Sequence, residues 1–167
     1  ESRVLGDVYK RQVHDPKVLA LKLTIYRTSS RSPIIQTLKK AAMAGKQVVV
    51  LVEITARFDE APNIAWGEEL EKAGVHVVYG VKRMKTNVKL GLVIREEEDG
   101  LRRYVHLSTG NYHTGTAKLY QDLGILTCNA ELGEGVSAVF NELSSALPAK
   151  EYGPLLVAPH NLRQRFT

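Results

Sequence analysis

The order of strand-like and helix-like segments predicts an α/β fold, with helices flanking a mixed β-sheet. Three observations carry it. Apolar runs of strand length recur near residues 19–25, 48–54 and 75–79. Helical stretches with one apolar face lie between them, near 33–45 and 62–73. Two later strand-like segments, about 86–95 and 101–107, are joined by a short acidic turn. Strands alternating with helices favour parallel pairing through crossovers, while a tight turn favours an antiparallel hairpin. Both in one chain give a mixed sheet.

Each element has a local cause. Leu19, Leu21, Leu23 and Ile25 alternate with Lys22 and Thr24, the period of a strand ending at Tyr26-Arg27. Ser32-Pro33 pairs a capping hydroxyl with a proline in the first helical turn, and Gly45 is a stop. Between them Ile34, Ile35, Leu38, Ala41 and Ala42 form one apolar face. Val48 to Ile54 reads as a continuous strand, apolar without a break from Val48 to Val52, as expected of a strand covered on both faces. The second helix has Pro62 early, Ile64, Trp66, Leu70 and Ala73 on its apolar side, and Gly74 as its stop. After the hairpin the sequence predicts a loop, a short strand near 123–127, a helix over about 130–146, a linker from Pro148 to Gly153 and a last strand over Leu155–Ala158.

The 167 residues are enough for one domain with a sizeable core. At 44% hydrophobic and 25% charged residues, the composition is globular rather than disordered. Twenty-three basic residues against 18 acidic give a net charge of +5, which is compatible with an anionic partner. The excess is local: Lys82, Arg83, Lys85 and Lys89 cluster, while Glu96 to Asp99 form a separate acidic turn. A single cysteine, Cys128, excludes an intrachain disulfide framework and fits a reducing compartment. No apolar run reaches the length of a membrane span and no secretory leader is recognisable, so a cytoplasmic protein is expected. The opening ESRVLGDVYKRQ resembles translated sequencing-adapter read-through, and residues 1–12 are set apart from the fold as a non-native leader.

Four places have residues suited to chemistry. Tyr26-Arg27-Thr28-Ser29-Ser30 follows the first strand, where ligands of α/β sheets gather. Arg27 offers a planar fork of donors to phosphate oxygens, although a solvated loop explains the same residues. Arg57, in Glu53-Ile-Thr-Ala-Arg-Phe-Asp-Glu after the second strand, either converges with Arg27 or pairs with Asp59 or Glu60 at the surface. In Lys85-Thr-Asn87-Val-Lys89, positions 87 and 89 of a strand point to one face. Lys89 can hold a phosphate as a point charge, whereas the Asn87 amide is not a nucleophile. Finally, His106-Leu-Ser-Thr-Gly110-Asn111-Tyr-His113 has the small residues of an anion-binding turn made from backbone amides. His106 reads equally as a satisfied core histidine. His14, His76 and His160 have no neighbours in sequence that suggest a metal site, and there is no zinc spacing, Walker loop or G-x-G-x-x-G.

Together the strings DPKVLALKLTIYRTS, GKQVVVLVEITARFDE, NIAWGEELEKAGVHVVYG, LRRYVHLSTGNYHTGTAKLYQDLGILT and LLVAPHNLRQRF resemble the polyphosphate kinase family, in family order over about residues 15–166. The resemblance implies a phospholipase-D-like domain over 13–153 and the start of a following C-terminal domain over 154–167. It also implies reversible transfer of the terminal phosphate of ATP to inorganic polyphosphate through a phosphohistidine in an H-x-K pattern. By motif, Arg27 and Arg57 match phosphate- and Mg2+-associated arginines, and Tyr120 matches the tyrosine beside the nucleotide. Lys89 matches the lysine of H-x-K, Asn111 the asparagine of the phospholipase-D-type signature, and His106 lies in the same supporting segment. A homo-oligomer is the family expectation, with ATP or ADP and polyphosphate as partners and no specific nucleic acid. The sequence departs from the pattern at one position: Asn87 stands where the family has its phosphohistidine. The covalent step then has no acceptor, so little or no kinase activity is expected of this chain. The alternative is a non-catalytic homologue that binds polyphosphate or nucleotide; a phospholipase-D-like phosphodiesterase is a weaker third reading, since that chemistry needs the same histidine.

Overall fold

In a computed structural model, residues 11–26, 32–53, 60–80, 85–113, 115–145, 147 and 149–166 are described, with the backbone alone for 60–63 and 116. The first unit is strand–helix–strand. β1 (Val18–Ile25) buries Leu21, Leu23 and Ile25 on one face. Helix α1 (Pro33–Met43) begins where Ser32 Oγ accepts the Ile34 amide at 3.3 Å, and it ends before Gly45, whose φ of 84° lies in the left-handed region. Ile34, Ile35, Leu38 and Ala41 are buried against the sheet, and Ala42 packs at the margin. β2 (Gln47–Val52) is buried at every position after Gln47, as the unbroken apolar run predicts.

Helix α2 (Glu60–Lys72) turns Trp66 and Leu70 into the core. Ile64, expected on that apolar face, is 44% exposed: Trp66 and Leu70, one turn apart, define the buried stripe, and Ile64 falls outside it. β3 (His76–Tyr79) is the outer parallel strand. β4 (Lys89–Glu97) and β5 (Gly100–Ser108) form the hairpin, with Glu97 opposite Gly100, so that only Glu98 and Asp99 make the turn. The strand starts at Lys89 rather than near 86. β6 (Gly124–Thr127) is the other edge; helix α3 (Ala130–Ser145) follows, with Asn129 Oδ1 accepting the Leu132 amide at 3.0 Å, and a short helix α4 (Leu162–Phe166) comes last.

The strand expected over Leu155–Ala158 does not form. Asn161 closes that segment on itself: its Oδ1 accepts the Val157 amide at 2.6 Å and its Nδ2 donates to the Leu155 carbonyl at 3.0 Å. The Asn161 amide also donates to the Val157 carbonyl at 2.9 Å. Backbone groups satisfied locally in this way do not need a ladder.

The sheet order is β3-β2-β1-β4-β5-β6, parallel from β3 to β1 and antiparallel from β1 onward. Its two faces carry separate cores. One packs Leu21, Leu23, Val50 and Val93 against α1 and α2. The other packs Leu90, Leu92 and Val105 against Val136, Val139 and Phe140 of α3. Leu92 lies opposite Lys22, which reaches Asn141 of α3 at 3.3 Å; burial on that face pushes the lysine's pKa down. Among the described residues, no helix is long and apolar enough to cross a membrane.

Candidate phosphate-handling site

Because β4 runs antiparallel to β1, its start lies beside the end of β1. The C-terminal ends of β1, β2 and β3, the start of β4, the end of β5 and the start of β6 therefore share one edge of the sheet. The parallel half meets the antiparallel half between β1 and β4. Crevices at the carboxyl ends of strands, where the strand order changes direction, are where open α/β sheets bind ligands.

Residues 85–89 sit at that boundary. Asn87 is exposed, and its Oδ1 accepts a hydrogen bond from Lys89 Nζ at 2.8 Å. Positions 87 and 89 do meet, although Asn87 precedes the strand instead of lying on it. Lys89 Nζ stands 5.4 Å from the centre of the Tyr26 ring, and Lys85 Nζ is 5.2 Å from the same ring. Half-burial pushes the Lys89 ammonium below its ordinary pKa, partly offset by the Asp122 carboxylate. Two ammonium groups thus face one aromatic ring.

Two buried side chains hold this segment. Thr24 Oγ1 donates to the Val88 carbonyl at 2.6 Å and accepts from the Leu90 amide at 2.9 Å. Glu53, 2% exposed at the end of β2, accepts the Thr86 amide at 2.6 Å, while its own amide bonds the Ile25 carbonyl at 3.0 Å. The sequence gives neither residue this role, because a threonine inside a strand and a glutamate after one are ordinary locally.

The expected anion-binding turn after β5 is built differently. The Thr109 amide bonds the Leu123 carbonyl at 2.9 Å, the Gly110 amide bonds Ser108 Oγ at 2.9 Å, and the His113 amide bonds the Asn111 carbonyl at 2.8 Å. Those three donors are already engaged within the chain. Thr109 Oγ1 donates to Asp122 at 3.0 Å, and a Cβ on Gly110 would lie 2.5 Å from Asp122 Oδ2, so a side chain there would displace Asp122. The Asn111 side-chain oxygen is buried with no hydrogen-bond partner among the described residues. His106 is half-buried, with Nδ1 at 2.9 Å from the hydroxyl of Tyr112, which belongs to the core. This is the satisfied-histidine arrangement. Tyr120 is 68% exposed after a short 3-10 turn. Arg27 and Arg57, and the alternative ion pairs of Arg57, lie outside the described residues.

A cavity of about 480 Å³ opens beside Asn87 on the α3 face. Leu90, Leu107 and Val139 line it, and Glu142 and His160 stand on its rim. His160 Nε2 is 2.6 Å from Glu142 Oε1, the Tyr152 hydroxyl donates to the same carboxylate, and the Tyr152 and His160 rings stack at 5.6 Å. Sequence alone gave His160 no partner: the two residues are 18 positions apart on separate segments. Among the described residues no three His, Cys, Asp or Glu side chains gather as a metal cluster.

Comparison with known proteins identifies the family and the fold. The family model for polyphosphate kinase C-terminal domain 1 matches residues 3–148. A polyphosphate kinase of Thermosynechococcus vestitus is 56% identical over 152 residues, covering 91% of this chain and 21% of that protein. One from Streptomyces coelicolor is 56% identical over 149 residues, covering 89% of the chain and 20% of the relative. The crystal structure of polyphosphate kinase from Porphyromonas gingivalis superposes with a TM-score of 0.85 at 30% identity, covering 99% of this chain and 28% of that one. The fold is accordingly the phospholipase-D-like α/β domain of that structure. The chain spans about a fifth of the length of the curated relatives it matches. On these matches, the chain belongs to the polyphosphate kinase family.

Proposed function

We propose that this chain is the phosphate-handling piece of an ATP–polyphosphate phosphotransferase, and that Asn87 leaves it able to bind polyphosphate but not to accept a phosphoryl group. The observation that carries the reading is the placement of Lys85, Asn87 and Lys89 beside Tyr26 at the point where the sheet changes from parallel to antiparallel. Lys89 currently donates to a neutral amide oxygen, and a phosphate oxygen is a stronger acceptor for an ammonium. Charged donors at a sheet edge hold the anion; an imidazole at position 87 would supply the nucleophile. An asparagine amide nitrogen is neither basic nor nucleophilic, and loss of a nucleophile costs several orders of magnitude in rate.

Magnesium would arrive with the phosphates. Mg2+ keeps several waters and is bound through substrate phosphate oxygens with one or two carboxylates. Arg27 and Arg57, as cations, would share its phosphates rather than ligate it. Glu53 and Asp122 already bond Thr86 and Thr109, and among the described residues no three His, Cys, Asp or Glu side chains gather, so the described residues do not fit a protein-held ion. The family reading also carries a cytoplasmic setting, homo-oligomeric assembly and a nucleotide contact through Tyr120. The second reading, a binding homologue without catalysis, is favoured by Asn87 itself.

The test is polyphosphate binding by the purified chain at two salt concentrations, beside Lys89→Ala and an Arg27→Ala, Arg57→Ala double variant. Binding that weakens with salt and in both variants is expected, as for any polyanion held by cations. Binding indifferent to salt and to these substitutions, or no binding, refutes the reading. ATP should leave no acid-labile phosphate on the chain.

A further inference from the structure

We propose that Thr24 and Glu53 act as a two-point clamp that positions residues 86–90 for phosphate, as positioning residues that do not touch the substrate. The inference rests on the reading above and deepens it. The regular ladder between β1 and β4 ends at Leu23 opposite Gly91. Beyond it, Lys89 and Leu90 still pair with Ser108 and Leu107 of β5, but on the β1 side no ladder partner continues. There side chains take over: Glu53 fixes the Thr86 amide, and Thr24 fixes the Val88 carbonyl and the Leu90 amide. Asn87 and Val88 are exposed, so core packing does not hold them. Their placement depends on the two pins that flank them.

Neither pin is what packing alone would select. Thr24 is 2% exposed in a strand whose neighbours Leu23 and Ile25 are apolar, and valine would fill the same volume. Glu53 is also 2% exposed, and its carboxyl bonds Thr86, next in sequence to Lys85, one of the lysines proposed to receive an anion. Burying a charge is costly unless it is hydrogen-bonded, and negative charge near an anion site opposes binding. What the carboxylate supplies in return is a short, charge-assisted bond to one backbone amide at the start of the segment.

The experiment compares Thr24→Val, Thr24→Ser, Glu53→Gln and the unaltered chain in three measurements: amide hydrogen exchange at Thr86 and Leu90, polyphosphate affinity, and the urea midpoint. Thr24→Val should speed exchange at Leu90 tenfold or more and weaken polyphosphate binding several-fold, and Thr24→Ser should restore both. Glu53→Gln keeps an acceptor of the same shape, so it should remain folded, speed exchange at Thr86 and weaken binding to a smaller degree. A merely structural role would move the urea midpoint and leave affinity per folded molecule unchanged; that result overturns the proposal. So does unaltered exchange at Thr86 and Leu90. If the unaltered chain binds no polyphosphate, the functional reading fails instead, and the exchange rates still decide whether the clamp holds the segment.

Discussion

Replacing Gly135 by alanine sets two opposed effects against each other. Gly135 lies inside α3, where alanine is favoured over glycine by up to about 1 kcal/mol. A Cβ there would stand 2.4 Å from the Tyr152 carbonyl oxygen and 3.1 Å from Leu155 Cδ1. Ordinary contact requires a retreat on the order of 1 Å, and the obstacle is backbone rather than a side-chain tip. Overpacking of this kind costs about 1–3 kcal/mol. Moving the Tyr152 backbone also disturbs its buried ring and its bond to Glu142. The net expectation is a loss of about 1–2 kcal/mol, with each kcal/mol lowering Tm by about 2–4 °C in a chain of this size. Gly67→Ala is the control. Its Cβ would meet the Tyr79 hydroxyl at 2.8 Å, the end of a side chain that is 36% exposed and can swing aside. That variant should match or exceed the unaltered chain. Urea and thermal unfolding followed by circular dichroism measure both. A Gly135→Ala protein as stable as the unaltered chain, or less affected than Gly67→Ala, refutes the reasoning. The outcome bears on the site as well, because residues 155–160 line the cavity beside Asn87.

Two further outcomes follow from the core on the α3 face. Phe140 is 1% exposed within the cluster that joins α3 to β4 and β5, so Phe140→Ala should lower the unfolding free energy by about 3–5 kcal/mol, read from urea midpoints. Burial, and then the bond to Glu142, push the Tyr152 hydroxyl up to about 12, against 10.0 for a free tyrosine. The folded state therefore holds this proton more tightly than the unfolded one. The stabilisation is fully present below pH 10 and is lost as pH rises towards about 12. A urea midpoint that falls over this window should fall less steeply in Tyr152→Phe.

Much of the local architecture was legible in the residues. Ser32-Pro33 and Gly45 bound α1 because capping and left-handed backbone are properties of single residues and their neighbours. The apolar run of β2 announced a strand covered on both faces, and the acidic turn announced the hairpin. The family itself was carried by collinear motifs over nearly the whole chain, which comparison bears out. Three features depended on folding. Leu155–Ala158 has the composition of a strand, but Asn161 satisfies its backbone locally and leaves nothing for a ladder. Glu142 acquires His160 and Tyr152 only when α3 and the C-terminal segment come together. Thr24 and Glu53 acquire their partners, 64 and 33 residues away, only because β4 lies against β1. Capping, periodicity and turn chemistry act over a few residues and can be read along the chain. Which side chains meet across the sheet depends on strand order, and that is set by burial of both faces at once.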